Sequence, residues 1–341
     1  MSHRFFAAVG VVAVVVVVSA VVSQAPVLNA FQASAAAGKT ATATHTPWGE
    51  PDLQGTWENK TITPLERPRE FAGKEFLTAQ EAAELEQRAA QNRTDRPPRE
   101  GDTGTYNQFW FDRGTKTISS RRTSLIVDPA DGRVPPLTPE GQKRQGEIAE
   151  YLRVHPSDGP EDRDTWDRCI TRGLPMFPGA YNNNFQILQT PGYVVILIEM
   201  IHDARIIPLD GRPHIGQNIR QWLGDSRGRW EGNTLVVDTT NFSEKTNGML
   251  GGGAGAFLGL GETLHLVERF TRVDGDTILY EATINDPTYT KPWKAAMPVT
   301  KSEGQIYEYA CHEGNYALGG ILGGARALEK AAAEAAKKGS R

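Results

Sequence analysis

The fold turns on the stretch Phe185-Gln186-Ile187-Leu188-Gln189-Thr190-Pro191-Gly192-Tyr193-Val194-Val195-Ile196-Leu197-Ile198-Glu199-Met200. Two runs of β-branched, aromatic and aliphatic residues are separated by Pro-Gly, a strand–turn–strand pattern. In the second run Val194, Ile196 and Ile198 alternate with Val195 and Leu197, so both faces are apolar. That pattern predicts a strand buried on both sides.

Working outward, the same texture continues to the C-terminal side. Gly232-Asn233 and Asp274-Gly275-Asp276 each sit between strand-like runs, and both accept the positive φ of a tight hairpin. Further strands are expected at 293–299 and 305–310, giving at least eight after residue 184. On the N-terminal side a first strand is expected near 54–62, with short strands at 106–111 and 122–128. Thr78-Ala79-Gln80-Glu81 is a capping box opening a helix to about Gln91, and Thr138-Pro139 opens another to about Arg153. A last Ala-rich helix, 325–338, has little to bury. Many short antiparallel strands with two or three peripheral helices predict a mainly β protein, an antiparallel barrel or sandwich.

The N-terminus reads as an export signal: Arg4, then an apolar run from Phe5 to Val22, then small residues. Cleavage after Ala25 would place Pro26 beyond the cut, so a site within 30–37 competes, and an uncleaved anchor is the alternative. The expected organisation is a signal over 1–35, a tether over 36–47, one β-rich domain over 48–324 and a helix or tail over 325–341. The expected location is periplasmic or secreted, with no membrane contact beyond the signal. The net charge of −4 comes without a basic block, so nucleic acid is not an expected partner. Cys169 and Cys311 are the only cysteines. In an oxidising compartment they are expected to pair, limiting the unfolded chain by about 4 kcal/mol. The competing reading, a thiol activated by His312, is weakened because neighbours on a strand face opposite ways.

Gly55-Thr56-Trp57 on the first strand resembles the Gly-x-Trp signature of lipocalin-like barrels. Arg168-Cys169-Ile170 and the stretches 192–208, 221–242 and 307–316 resemble a widespread group of uncharacterised exported bacterial proteins. These resemblances imply export and a barrel, without a chemistry.

The densest polar cluster is Glu199, His202, Asp203 and Arg205 at the end of the apolar strand. Were the strand continuous, Glu199, Asp203 and Arg205 would share one face and His202 the other. A carboxyl in an apolar wall titrates near neutrality and can move protons, so Glu199, His202, Asp203 and His312 are the candidate catalytic groups. Arg205, Tyr181, Asn183, His265 and Tyr309 are the candidate binding groups, with a small organic molecule as partner. An ion pair of Arg205 with Glu199 or Asp203 is the structural alternative. His202, His214, His265 and His312 lack metal-ligand spacing, and no metal is expected. The Gly-rich segment 250–261, read as a loop, lacks a Gly-Lys-Ser/Thr ending, and no cofactor is expected. Ser226 is read as part of a turn. The expected activity is elimination, hydration or isomerisation. The alternatives are a lipocalin-like carrier of an apolar molecule and a structural envelope protein.

Overall fold

The computed structural model describes residues 45–92, 110–155, 157–245 and 261–339. The expected signal, most of the tether, most of the 106–111 strand, most of the loop after Asn92 and most of the Gly-rich segment lie outside these residues. Among the described residues ten strands form one antiparallel sheet. They are β1 (Gly55–Glu58), β2 (Ile126–Asp128), β3 (Asn184–Thr190), β4 (Tyr193–Ile198), β5 (Ala204–Pro208), β6 (Asp225–Glu231), β7 (Thr234–Thr240), β8 (His265–Arg272), β9 (Thr277–Asn285) and β10 (Trp293–Lys301). Around the sheet the order is β5-β4-β3-β1-β10-β9-β8-β7-β6, with β2 added on β10. The sheet curls into a nearly closed, lipocalin-like barrel. Its helices are α1 (Ala79–Gln91), α2 (Pro139–Val154) and α3 (Tyr316–Gly339).

Local chemistry explains the elements. Pro191-Gly192 folds β3 onto β4 with Thr190 opposite Tyr193. The capping box at Thr78 and Glu81 is formed, and the Thr138 hydroxyl accepts from the Gly141 amide at the start of α2. β1 joins the two halves of the sheet, pairing with both β3 and β10. Its Trp57 is fully buried, donates to the Leu53 carbonyl at 2.9 Å and lies under the Arg272 guanidinium. The inner residues of alternate positions fill the barrel: Val194 and Ile196, Leu235 and Val237, Leu266 and Phe270, Tyr280 and Ala282, Trp293 and Met297.

The sheet has one seam. β5 and β6 are consecutive in sequence and terminate opposite ends of the strand order, so no backbone ladder joins them. Side chains close the seam instead. At Gly228 an added Cβ would fall 2.6 Å from Leu209 and 2.8 Å from Ile207, so the missing side chain lets β6 approach that wall.

Several expectations need correction. β4 is buried on one face only: Val194 and Ile196 point inward, whereas Val195 and Leu197 are half-exposed and Tyr193 is exposed. The outer side of a single-layer barrel meets solvent, and apolar residues there are only partly covered. Residues 305–310 form no strand. β10 already pairs with β9 along its length and with β1, so that sheet position is taken. Ser226 belongs to β6, not to a turn. The C-terminal helix begins nine residues earlier than expected, at Tyr316.

Candidate functional site

The apolar strand does not run on through the polar cluster. After Ile198 the chain enters a tight turn, Met200–His202, in which Ile201 (φ 59°) and His202 (φ 51°) both adopt the left-handed conformation. A β-branched residue there is strained, and such strain persists only where the surroundings impose it. The turn breaks strand parity and scatters the cluster in three directions.

Glu199 turns into the protein. It is buried and accepts from the Asn184 amide at 2.7 Å and from the Tyr307 backbone N–H at 3.2 Å. Those bonds pin the 305–310 segment over the barrel mouth and commit the carboxylate to structure. Arg205 points into the barrel. Its Nη1 and Nη2 meet the two oxygens of Glu268 at 3.2 and 2.6 Å, and Nη2 also reaches Ser226 at 3.2 Å. Tyr280 donates to the same Glu268 at 2.7 Å, and burial drives the Tyr280 phenol well above its ordinary pKa. The guanidinium expected to orient a substrate is therefore occupied, and the ion pair is made to β8 rather than to Glu199 or Asp203.

His202 and Asp203 face outward at the top of the seam. Here an open cleft of about 760 Å3 lies between the Met200–His202 turn with β5 on one side and residues 220–226 on the other. Cys169, Ile170 and His312 border it, and Trp222 contributes an aromatic wall. The rings of His202 and His312 are 6.4 Å apart. His202 Nδ1 lies 3.2 Å from the Tyr309 carbonyl, an oxygen that can only accept. That contact places a proton on Nδ1, so that Nε2 is the acceptor whenever the ring is neutral. Burial pushes the Asp203 carboxyl up to about 6, against the opposing pull of the Thr171 hydroxyl (2.7 Å), the Arg172 backbone N–H and the charges of His202 and Arg205.

A disulfide joins Cys169 to Cys311 with a Cα separation of 5.7 Å. Cys169 is itself left-handed, with φ 56°. The bond places His312, the next residue, at the cleft beside His202. Two constraints from distant parts of the chain thus meet at one rim.

The remaining candidates lie elsewhere. Tyr181 stacks on Tyr309 at 6.3 Å and meets Trp166 at a tilt at 5.9 Å, beside the cleft rather than in its wall. Asn183 is buried and fully engaged: it accepts from the Gly179 N–H at 2.6 Å and donates to the carbonyls of Asp112 and Gly179. Both its N–H groups and its oxygen are committed inside the protein. His265 projects from the other face of β8 from Glu268 and donates to Asp238 at 2.8 Å. That hydrogen bond raises its pKa. His214 bridges Asp225 and Asp238 at 2.9 and 3.0 Å, holding the 209–224 connection against β6 and β7. Burial raises the Asp238 carboxyl, but the two histidines outweigh it and hold it below the usual range. Both histidines serve the outer wall of the barrel. Among the described residues, no three His, Cys, Asp or Glu side chains converge as metal ligands.

The residues missed by sequence reasoning are Trp222, Thr171 and Arg172. The one sequence signal for Arg172 is its place three residues after Cys169. Trp222 had no local signal, because its place depends on how the β5–β6 connection folds back. Compared with family models, with curated proteins and with solved structures, the chain matches none. Among the described residues no helix is long and apolar enough to cross a membrane.

Proposed function

We propose that this protein is an exported enzyme that performs acid–base chemistry, by elimination, hydration or isomerisation, on a small organic substrate in the seam cleft. The observation that carries the reading is His202: a strained turn and the Tyr309 carbonyl fix its ring, whose centre lies 6.4 Å from that of His312 in a cleft that Asp203 also lines. In this reading Nε2 takes a proton from substrate. Asp203, titrating near 6, gives or takes the second proton. Positioning a base of fixed tautomer beside a carboxyl of raised pKa is how proton-moving sites work near neutrality. The run over 1–35 would direct the chain out of the cytoplasm, as in the exported bacterial group it resembles. The Cys169–Cys311 disulfide supports this, because such bonds persist in oxidising compartments.

The carrier reading is weaker. Trp57, Trp293, Phe185, Phe270 and Tyr280 are fully buried in the barrel, and the Arg205–Glu268 pair adds charge to an interior that an apolar ligand would need. The test is a panel of hydratase, lyase and isomerase substrates assayed with the intact protein, His202→Ala and Asp203→Asn. Turnover should fall by about 10²- to 10⁴-fold in His202→Ala. Activity undiminished in both variants would overturn the assignment of these residues. No turnover by the intact protein would return the reading to a carrier.

A further inference from the structure

Arg172 is a cation without an acid. Its Nη2 is sealed from solvent and has no hydrogen-bond partner. Burial pulls its pKa down to about 10, offset only in part by the nearby Tyr181 phenol. No described carboxylate compensates it, whereas the buried guanidinium of Arg205 has Glu268 and that of Arg122 has Glu75. An uncompensated guanidinium is costly to hold out of water.

The placement is nonetheless built. The guanidinium lies 5.9 Å from the centre of the Trp166 ring. On another side it rests on Gly179, where an added Cβ would fall 2.2 Å from both Nη atoms. Gly179 in turn is clamped through its N–H and carbonyl by the Asn183 side chain. Asn183 thus has a role, to hold the backbone on which Arg172 lies. From Arg172 a line of half-exposed rings, Trp166, Tyr181 and Tyr309, runs toward the cleft, with successive centroids 5.9 and 6.3 Å apart. The Tyr309 backbone then holds His202.

We propose that Arg172 receives the carboxylate of an organic acid whose body lies on the Trp166–Tyr181–Tyr309 rings. A guanidinium fork matches a carboxylate in shape and charge, and a single unpaired cation suits a monoanion better than a phosphate. The cavity that Arg172 lines together with Asp203, about 20 Å3, is too small for a carboxylate, so the anion meets the guanidinium from the side of the Trp166 ring. The body of the ligand therefore stays outside, over the rings. This inference goes beyond the reading above, since Arg172 and the rings lie beside the cleft rather than in its wall, and it is tested by binding alone.

The experiment is calorimetric titration of the oxidised protein with benzoate and with its uncharged isostere benzamide. Benzoate is expected to bind at least about ten-fold tighter, an Arg–carboxylate preference. Arg172→Gln should erase that preference. Arg172→Lys, which keeps the charge but loses the fork, should retain only part of it and serves if the glutamine variant does not fold. Equal binding of the two probes, binding of neither, or a benzoate preference that survives in Arg172→Gln would overturn the proposal. Because no turnover is read, a failed binding experiment leaves the roles of His202 and Asp203 untouched. A failed turnover assay with benzoate still bound would leave an organic-acid carrier.

Discussion

Asp203 makes the protein less stable when it is charged. A free aspartate titrates near 4, whereas desolvation at the cleft wall lifts this one to about 6. A folded-state pKa above the unfolded value means that the native state holds the proton more tightly. The resulting stabilisation is complete below about pH 4 and is lost as pH rises through about 6. Two units amount to about 3 kcal/mol, which partial exposure of the side chain reduces to about 1–2 kcal/mol. Asp203→Asn cannot ionise and keeps an oxygen to accept from Thr171. It should therefore be more stable than the parent by about 1–2 kcal/mol at pH 8 and equal to it at pH 4, read from urea denaturation at the two pH values. A gain that persists at pH 4 would point to altered packing instead. The sequence marked the residues of this site without their geometry. The density of ionisable side chains after an apolar strand was legible. The left-handed pair Ile201 and His202 was not, because no propensity favours that conformation for a β-branched residue. Parity arguments assume an unbroken strand, and here the break itself separates Glu199 from Asp203 and Arg205.

Between elements, the decisive contact is the one that closes the seam. Arg205 on β5 reaches Glu268 on β8 and Ser226 on β6, while Ser226 and Thr239 of β7 are joined at 3.0 Å. Side chains thus couple strands that share no ladder across the seam. Alternation along 264–268 was enough to put Glu268 on the face of Leu264 and Leu266. It could not name a partner 63 residues away, since pairing across a barrel is set by closure rather than by local pattern. Arg205→Met leaves Glu268 buried without its cation and should cost about 3–5 kcal/mol. Arg205→Met with Glu268→Leu removes both charges and should recover most of that loss, as buried pairs exchanged for apolar residues often do. Denaturation of the single and double variants checks this. Recovery that fails would mean that Ser226, Thr239 and Tyr280 depend on the ions, making the network rather than the pair the unit of closure.

At the scale of the whole molecule, Cys169–Cys311 joins the segment before β3 to the segment after β10, across 142 residues of sequence. The pairing was legible because two cysteines leave one choice of partner. Its purpose was not, because the alternation Tyr307, Tyr309, Cys311 read as a strand, and only the occupied edges of β10 show why the segment crosses the barrel mouth instead. There Glu199 holds the Tyr307 N–H, the Tyr309 carbonyl holds His202, and the Asn315 amide donates to the Asp167 carbonyl. The disulfide lies in the middle of these bonds. Most of its contribution should come from the unfolded chain, where it closes a very long loop. Cys169→Ser with Cys311→Ser should therefore lower unfolding stability by about 4 kcal/mol, measured by denaturation against the oxidised parent. The contacts of Glu199, His202 and Asn315 are noncovalent and lie on both sides of the bond, so the mouth should keep its shape while the chain loses stability. A loss below about 1 kcal/mol would mean that the unfolded chain is already held compact near these residues. A full loss accompanied by selective exposure of the Tyr307 amide to hydrogen exchange would place the effect in the native mouth. In that case the disulfide, rather than the strained turn, would be what keeps His312 beside His202.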